Sequence, residues 1–486
     1  MKKETNCNTD VKMTELEIDI YDRQRRIPGW NQDTLTNSLV TIVGSSHLAL
    51  ETAIPLAALG VGNIVIIGDE RTKRGEKVLD IDIEPRKYRV NEWEKALKTI
   101  FPKINILPIN ASIESKTNVG LAEGDVVVET TNSARSKINV LRNDALHSDS
   151  MFFGSTITGY LKVMPIERND SELRFKNDYT IPNFNGLPQD EFTSIIAGGI
   201  LAEEVKKRLF RSEFNIDQPV YLKIGNQDRI GYLKDGESFK KHPSFAGKKA
   251  LVVGNGALLA SGAGRILAKQ GYESIDLMDM DYVDETNLNR QILHYNGVGK
   301  LKVQSAAEVL KKIGNNDTMY NTIDQKFDEK FKSDVDYDVI FDWVDNLYTR
   351  ALVSIYAIRN QIPLITAATD HKSGEWATYV PGKTKCMDHY FGVHSMGAEE
   401  ERIRRHSCTQ APNPSVITSN QITGSASALE AGTVFNPEVY GEPINGILKY
   451  SSTRGRKLGI TTFKDSCDCH TKKVPDLVVE KEVAEE

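Results

Sequence analysis

The sequence predicts an α/β protein of two tandem, doubly wound domains. Two observations predict it. The segments NSLVTIVGSSHLALETAIPLAALGVGNIVIIGDE from Asn37 and GKKALVVGNGALLASGAGRILAKQGYESIDLMDMD from Gly247 share one layout. Each has an apolar β-branched run, a small-residue turn, a helical stretch and a second apolar run ending in acids, which is a strand–helix–strand unit. The parallel then continues down the chain. GDVVVETTNS (124–133) aligns with YDVIFDWVDN (337–346) as a strand and its carboxyl edge. TSIIAGGILAEEVKKRLF (193–210) aligns with SNQITGSASALEAGTVF (419–435) as a small-residue helix, and QPVYLKIGN (218–226) with NGILKYSST (445–453) as a closing strand. Strands alternating with helices imply mostly parallel, Rossmann-like sheets, with ligands bound at the carboxyl ends of the strands.

The 486 residues are enough for two such units. The first is expected over 19–235 and the second over 250–475, joined by a polar linker at 236–249. Residues 1–18 are expected to be a mobile N-terminus and 476–486 an acidic tail. Hydrophobic residues make up 40% and charged residues 26%, with a formal charge of −6. That balance argues against a nucleic-acid partner, which favours a basic face. No uninterrupted apolar run is long enough for a membrane span, and the start MKKETNCNTD has no apolar leader core. The five cysteines are an odd count, pointing to metal or thiol chemistry in a reducing, cytoplasmic setting rather than to a disulfide framework.

The chemistry concentrates in the second half. Gly254 and Gly256 follow the run Ala250–Val253, where glycines let the backbone approach a phosphate at a helix start. Asp279 ends the next strand, at ribose distance. Those two features fit any tight turn, or a nicotinamide oxidoreductase, equally well. The following residues discriminate: Asp281, Asn287, Arg290 and Gln291, then Lys302. A cluster of amide, guanidinium and ammonium groups suits a nucleoside triphosphate, because forked and point cations bind phosphate oxygens. The competing reading is a solvated charged loop. Asp345-Asn346 closes a later strand, where the pair reads either as a magnesium ligand with its neighbour or as a helix cap.

The order glycine loop, D-x-D, (S/T)-N-L-x-R-Q, G-x-x-K resembles the ubiquitin-activating superfamily that includes ThiF, MoeB and HesA, with Thr286 in place of the usual Ser. The resemblance implies two ThiF-type domains. It implies that Asp279 holds ribose, that Asn287, Arg290, Gln291 and Lys302 line the phosphates of ATP, and that Asp345 holds Mg2+. The first half departs from the pattern. Gly44-Ser45-Ser46-His47 lacks the second glycine, Gly68-Asp69-Glu70 replaces D-x-D, no N-x-x-R-Q follows, and Thr131-Asn132 stands for Asp-Asn. It is therefore expected to be an inactive adenylation domain. It alone carries Tyr21-Asp22-Arg23-Gln24, and in homodimeric relatives an arginine in such a stretch reaches the neighbouring subunit's phosphates. Arg23 is thus expected to act across an internal pseudo-dimer of the two halves; a surface basic cluster is the alternative.

Cys408 follows Arg404, Arg405 and His406 and precedes a helix expected from about Ser415. Cationic neighbours and a helix start favour thiolate. In compact relatives the thioester nucleophile occupies this crossover place; a buried inert cysteine is the alternative. Cys386-x-x-His389 and Cys467-x-Cys469-His470 offer a tetrahedral Zn2+ set of Cys386, His389, Cys467 and His470, with Cys469 as a substitute for His470. The resemblance places structural zinc there with four cysteines, so relic cysteines without zinc are the rival reading.

The function so implied is ATP-dependent activation of the C-terminal glycine of a ubiquitin-like, β-grasp protein, with thioester transfer to Cys408 and onward to a conjugating enzyme. Two alternatives stand beside it: an adenylyltransferase for a ThiS- or MoaD-like sulfur carrier, and a non-catalytic scaffold that docks a ubiquitin-like protein. Further dimerisation of two chains is compatible with either enzyme reading.

Overall fold

The computed structural model describes residues 19–142, 151–166, 185–224, 229–232, 241–314, 317–406 and 414–471, the side chains of 404–406 and 470 excepted. Cys408 and the expected N-terminal and acidic tails lie outside the described residues, as do the side chains of Arg404, Arg405 and His406 and that of His470.

In the first half, β1 (Leu39–Val43) and β2 (Asn63–Ile67) are followed by a small hairpin, β3 (Lys77–Val78) and β4 (Ile81–Asp82). Then come β5 (Asn105–Ile109), β6 (Val126–Glu129), β7 (Met151–Ile157), β8 (Tyr160–Ile166) and β9 (Val220–Lys223). Apart from the hairpin they form one sheet in the order β5-β2-β1-β6-β7-β8-β9. The second half contributes β10 (Lys249–Val253), β11 (Ser274–Met278), β12 (Met319–Ile323), β13 (Val339–Asp342), β14 (Leu364–Thr369), β15 (Ser373–Tyr379), β16 (Gly446–Ser451) and β17 (Leu458–Thr462). Their order is β12-β11-β10-β13-β14-β15-β16-β17. The two sheets thus repeat one topology, with β17 added at the end of the second. In both, the five strands from the first edge run parallel and the rest turn antiparallel.

Register sets where chemistry can occur. Val43 pairs with Ile67 and Glu129, while Val253 pairs with Met278 and Asp342. Three strands therefore end level in each half, and the loops leaving them converge. The runs Val40–Val43 and Ala250–Val253 are buried throughout, as parallel strands covered on both faces require.

The halves are joined by packed helices. Glu191–Leu209 lies against Ile417–Leu429, which is buried along its whole length. Small residues allow the approach: a Cβ on Gly199 would sit 2.8 Å from Ile422 Cγ1. Gln421 donates through Nε2 to the carbonyls of Glu51 (3.2 Å) and Ile195 (2.8 Å), and Thr418 donates to Glu203 (2.6 Å). One continuous apolar core runs from Leu35 and Val40 through these helices to Leu448 and Leu458. Among the described residues no helix is long and apolar enough to cross a membrane.

Candidate functional site

The site is assembled where β10, β11 and β13 end. Gly254 has φ +93°, and a Cβ there would come 2.7 Å from the Trp343 carbonyl oxygen, so only glycine fits both the conformation and the approach. Gly256 faces open space, its nearest neighbour being Gln291 Nε2 at 3.9 Å from an added Cβ. Asp279 braces this loop: one carboxylate oxygen accepts from the Asn255 amide (2.7 Å) and the other from the Asp281 amide (2.9 Å). Burial raises the Asp279 pKa, opposed by Lys302 and the two amides.

Lys302 opens the helix Lys302–Ile313; its backbone N–H donates to the Asp281 carbonyl (2.8 Å) and its Nζ ion-pairs with Asp281 (2.7 Å). Asp284 caps the short turn Glu285–Asn287, and Asn287 returns the bond by accepting from the Asp284 amide at 3.3 Å. Arg290 is 6% exposed and donates to the Thr286 carbonyl (2.8 Å) and Asn289 Oδ1 (2.9 Å). Burial first, then the charge of Arg23, push its pKa down to about 10, so it remains a cation at neutral pH. Gln291 Oε1 and Asn255 Oδ1 are buried with no hydrogen-bond partner among the described residues. Asn346 accepts from the Thr349 amide (2.8 Å) and caps the following helix, while Asp345 stays exposed. The helix-cap reading thus falls to Asn346.

The first half reaches this site. Arg23 Nε donates to Thr286 Oγ1 at 3.2 Å, and Asn289 Nδ2 donates to Gln24 Oε1 at 2.9 Å, with Gln24 fully buried. The structure therefore brings Arg23, Gly254, Gly256, Asp279, Asp281, Asn287, Arg290, Gln291, Lys302, Asp345 and Asn346 to one corner of the fold.

Strand register aligns the two halves residue by residue. Gly68 takes the place of Asp279, and a Cβ there would lie 2.3 Å from Ser45 Cβ, so no carboxylate can stand at that point. Asn132, not Thr131, takes the place of Asp345, and Ser133 that of the capping Asn346; this corrects the pairing by one residue. Asn132 is spent on the carbonyls of Thr156 (2.8 Å) and Leu187 (3.0 Å). Gln189 accepts from the Leu48 amide at the helix start (2.9 Å), engaging a donor that a phosphate would need. Other pairs persist. Glu70 and Arg89 repeat Asp281 and Lys302, down to the bond from the Arg89 amide to the Glu70 carbonyl (2.9 Å). Each half also buries an acid at its fourth-strand end against a cation eight residues on, Glu129 with Lys137 and Asp342 with Arg350. The cations brace matching carbonyls, Thr131 and Gly154 in one half, Val344 and Ala367 in the other. Burial raises the pKa of both acids.

A separate cluster lies beyond β15 and β17. The ligand atoms of Cys386, His389, Cys467 and Cys469 all lie within 4.8 Å of one another. Cys386 Sγ is 3.1 Å from His389 Nδ1 and 3.7 Å from Cys469 Sγ, which is 3.5 Å from His389 Nδ1. With Zn–S bonds of about 2.3 Å, the edge of a tetrahedron is about 3.8 Å, so these separations fit the ion. Burial, with the neighbouring sulfurs, raises the Cys386 thiol pKa. Among the described side chains the fourth member is Cys469, the substitute named for His470, whose own side chain lies outside them.

The ThiF family matches residues 244–471. These residues are a ThiF family domain. The chain is similar to the "Adenylyltransferase and sulfurtransferase uba4" of Aspergillus clavatus, 30% identical over 43% of this chain and 44% of that protein. The "Molybdopterin-synthase adenylyltransferase" of Escherichia coli is 26% identical over 46% of this chain and 88% of its own length. The "Sulfur carrier protein ThiS adenylyltransferase" of Bacillus subtilis is 32% identical over 29% and 42%, respectively. The chain thus spans less than half the length of the uba4 protein. Among solved structures, Escherichia coli MccB with ATP aligns with a TM-score of 0.39 and 22% identity, over 45% of this chain and 64% of that one.

Proposed function

We propose that the chain is an adenylyltransferase that activates the C-terminal carboxylate of a ubiquitin-like sulfur carrier with ATP. The carrying observation is a connected set of charges at the strand ends: Asp279 bonds the glycine loop at Asn255, Lys302 acts on Asp279 and pairs with Asp281, and Arg290 lies within the charge of both Asp345 and Arg23, the latter from the other half. The relatives' names, which speak of adenylyl transfer and a sulfur carrier, favour this over the thioester-forming reading first set out from the sequence. That reading rests on Cys408, outside the described residues, and needs a conjugating enzyme besides.

In this reaction a carboxylate oxygen attacks the α-phosphorus, the bond to the β-phosphate bridging oxygen breaks, and pyrophosphate leaves with the negative charge. Asp279 receives the ribose hydroxyls. Arg290, Lys302 and Arg23 stabilise charge on the phosphates, where preorganised cations act without reorganisation. Asp345, exposed beside that corner, and the phosphates would hold Mg2+, which supplies charge neutralisation when bound. The first half, with Gly68 and Asn132 at the two acidic positions, is assigned as the inactive partner that lends Arg23. An intact set of charges argues against a scaffold role.

The test is magnesium-dependent ATP–pyrophosphate exchange with a purified ThiS-type sulfur carrier. Exchange is expected with the wild type and, undiminished, with Cys408→Ser, since adenylation precedes any thiol step. No exchange with any β-grasp protein ending in glycine would refute the assignment. A thiol-sensitive adduct lost only in Cys408→Ser would restore the thioester reading.

The Cys386, His389, Cys467, Cys469 cluster is assigned to structural Zn2+, tying the segment after β15 to the chain beyond β17. One zinc per chain is expected by atomic absorption, lost in Cys386→Ser. Chelation should then lower the melting temperature, because metal binding to such a site is folding free energy. His470→Ala is expected to retain the metal and Cys469→Ala to lose it; the reverse would restore His470 as the ligand.

A further inference from the structure

His294 lies between the glycine loop and the Lys302 helix and touches both. It is fully buried in the short turn Ile292–His294. Its Nε2 is 3.1 Å from the carbonyl oxygen of Asn255, the middle residue of the loop, and its Nδ1 is 3.0 Å from Ser305 Oγ, one turn into the helix. A carbonyl can only accept, so Nε2 carries the proton and Nδ1 accepts from the Ser305 hydroxyl. Burial supports the single neutral tautomer, pushing the pKa of His294 down to about 4. The imidazole is therefore a rigid spacer of fixed polarity: hydroxyl to Nδ1, Nε2 to carbonyl.

The same two elements are tied a second time from outside. Asp80, in the β3–β4 turn of the first half, accepts from the Tyr295 hydroxyl (2.9 Å) and pairs with Lys312 (3.1 Å). Tyr295 adjoins His294, and Lys312 ends the helix that Lys302 begins. The turn and the helix thus have an anchor that does not pass through the imidazole. What His294 alone adds is the bond to the loop.

Resting on the adenylation reading, we infer that His294 is a positioning residue, which with Ser305 sets the distance between the phosphate-facing glycine loop and Lys302. Without it the two sides of the site keep their folds and lose their mutual alignment.

The test compares His294→Gln, whose longer amide can still donate to the Asn255 carbonyl, with His294→Asn, which reaches only toward Ser305, and with Ser305→Ala. Mg·ATP affinity of the full chain is read by calorimetry, and loop order by hydrogen exchange of the peptide covering 254–258 without nucleotide. His294→Asn is expected to weaken Mg·ATP about tenfold and to speed exchange in that peptide, with His294→Gln within about threefold of wild type. Ser305→Ala should fall between them. Equal losses in the Gln and Asn variants, tracking melting temperature, would mean a merely structural histidine and overturn the inference. So would wild-type affinity and exchange in Ser305→Ala, which only shortens a side chain and decides the matter if the histidine variants do not fold. Faster loop exchange in a protein whose wild type binds no Mg·ATP would instead defeat the adenylation reading while leaving the loop-positioning role intact.

Discussion

Lys302→Ala is expected to lower carrier-dependent ATP–pyrophosphate exchange by about two to three orders of magnitude while leaving the fold nearly as stable as before. The two halves of this expectation have separate causes. Lys302 is 9% exposed at the first position of its helix, where its charge adds to the positive end of the helix dipole. In the proposed adenylation, an ammonium held there would stabilise developing phosphate charge. Its present partner Asp281, by contrast, has a side chain 61% exposed, so the pair itself contributes only roughly 0–1 kcal/mol to stability. Lys302→Arg should recover part of the activity, limited by the different shape of the guanidinium. Exchange measured beside thermal melting checks both parts. An inactive variant that also melts far below wild type would assign Lys302 a structural role instead.

Arg265→Ala is expected to cost about 3–5 kcal/mol of unfolding free energy, because it leaves the buried Glu51 without its counter-charge. Arg265 lies on the helix that follows the glycine loop and pairs across the half–half boundary with Glu51, each side chain 6% exposed. It also donates to the Ser261 carbonyl (3.0 Å). Burial already raises the Glu51 pKa, with Arg265 opposing the rise. Removing the arginine lifts the folded pKa further above the unfolded value. An acid raised in the folded state binds more protons folded than unfolded, so stability falls as pH rises above the ordinary carboxylate range. The deficit of Arg265→Ala should therefore be larger at pH 8 than at pH 5 in urea titrations, and the double variant Arg265→Leu, Glu51→Leu should recover most of it. A deficit independent of pH would locate the damage in packing.

Much of this was legible in the sequence because strands and glycine turns are local. The apolar runs that become the first strands of each half and the small-residue helices follow from period and composition. The residues between Gly254 and Asp345 fell into one site because parallel strands deliver their carboxyl ends to one edge. What stayed hidden depends on pairing across long separations. The acid–cation struts Glu129–Lys137 and Asp342–Arg350 show a shared spacing of eight once the halves are aligned, but nothing in either half alone marks them. Gln189 closing the first loop, Asp80 reaching the second half and His294 bridging two elements leave no local pattern. His294 in particular reads as an ordinary core histidine until its two partners are seen. Cys469 and His470 are adjacent donors in the sequence, so spacing alone does not choose between them.

The account's central claim is a single nucleotide site per chain, housed in the second half and completed from the first. Its most direct test is calorimetric titration of the full chain with Mg·ATP, on the wild type, Asp279→Asn and Arg23→Ala. One ATP per chain is predicted, with binding lost in Asp279→Asn and weakened in Arg23→Ala. Two sites per chain, none, or unaltered affinity in both variants would contradict it.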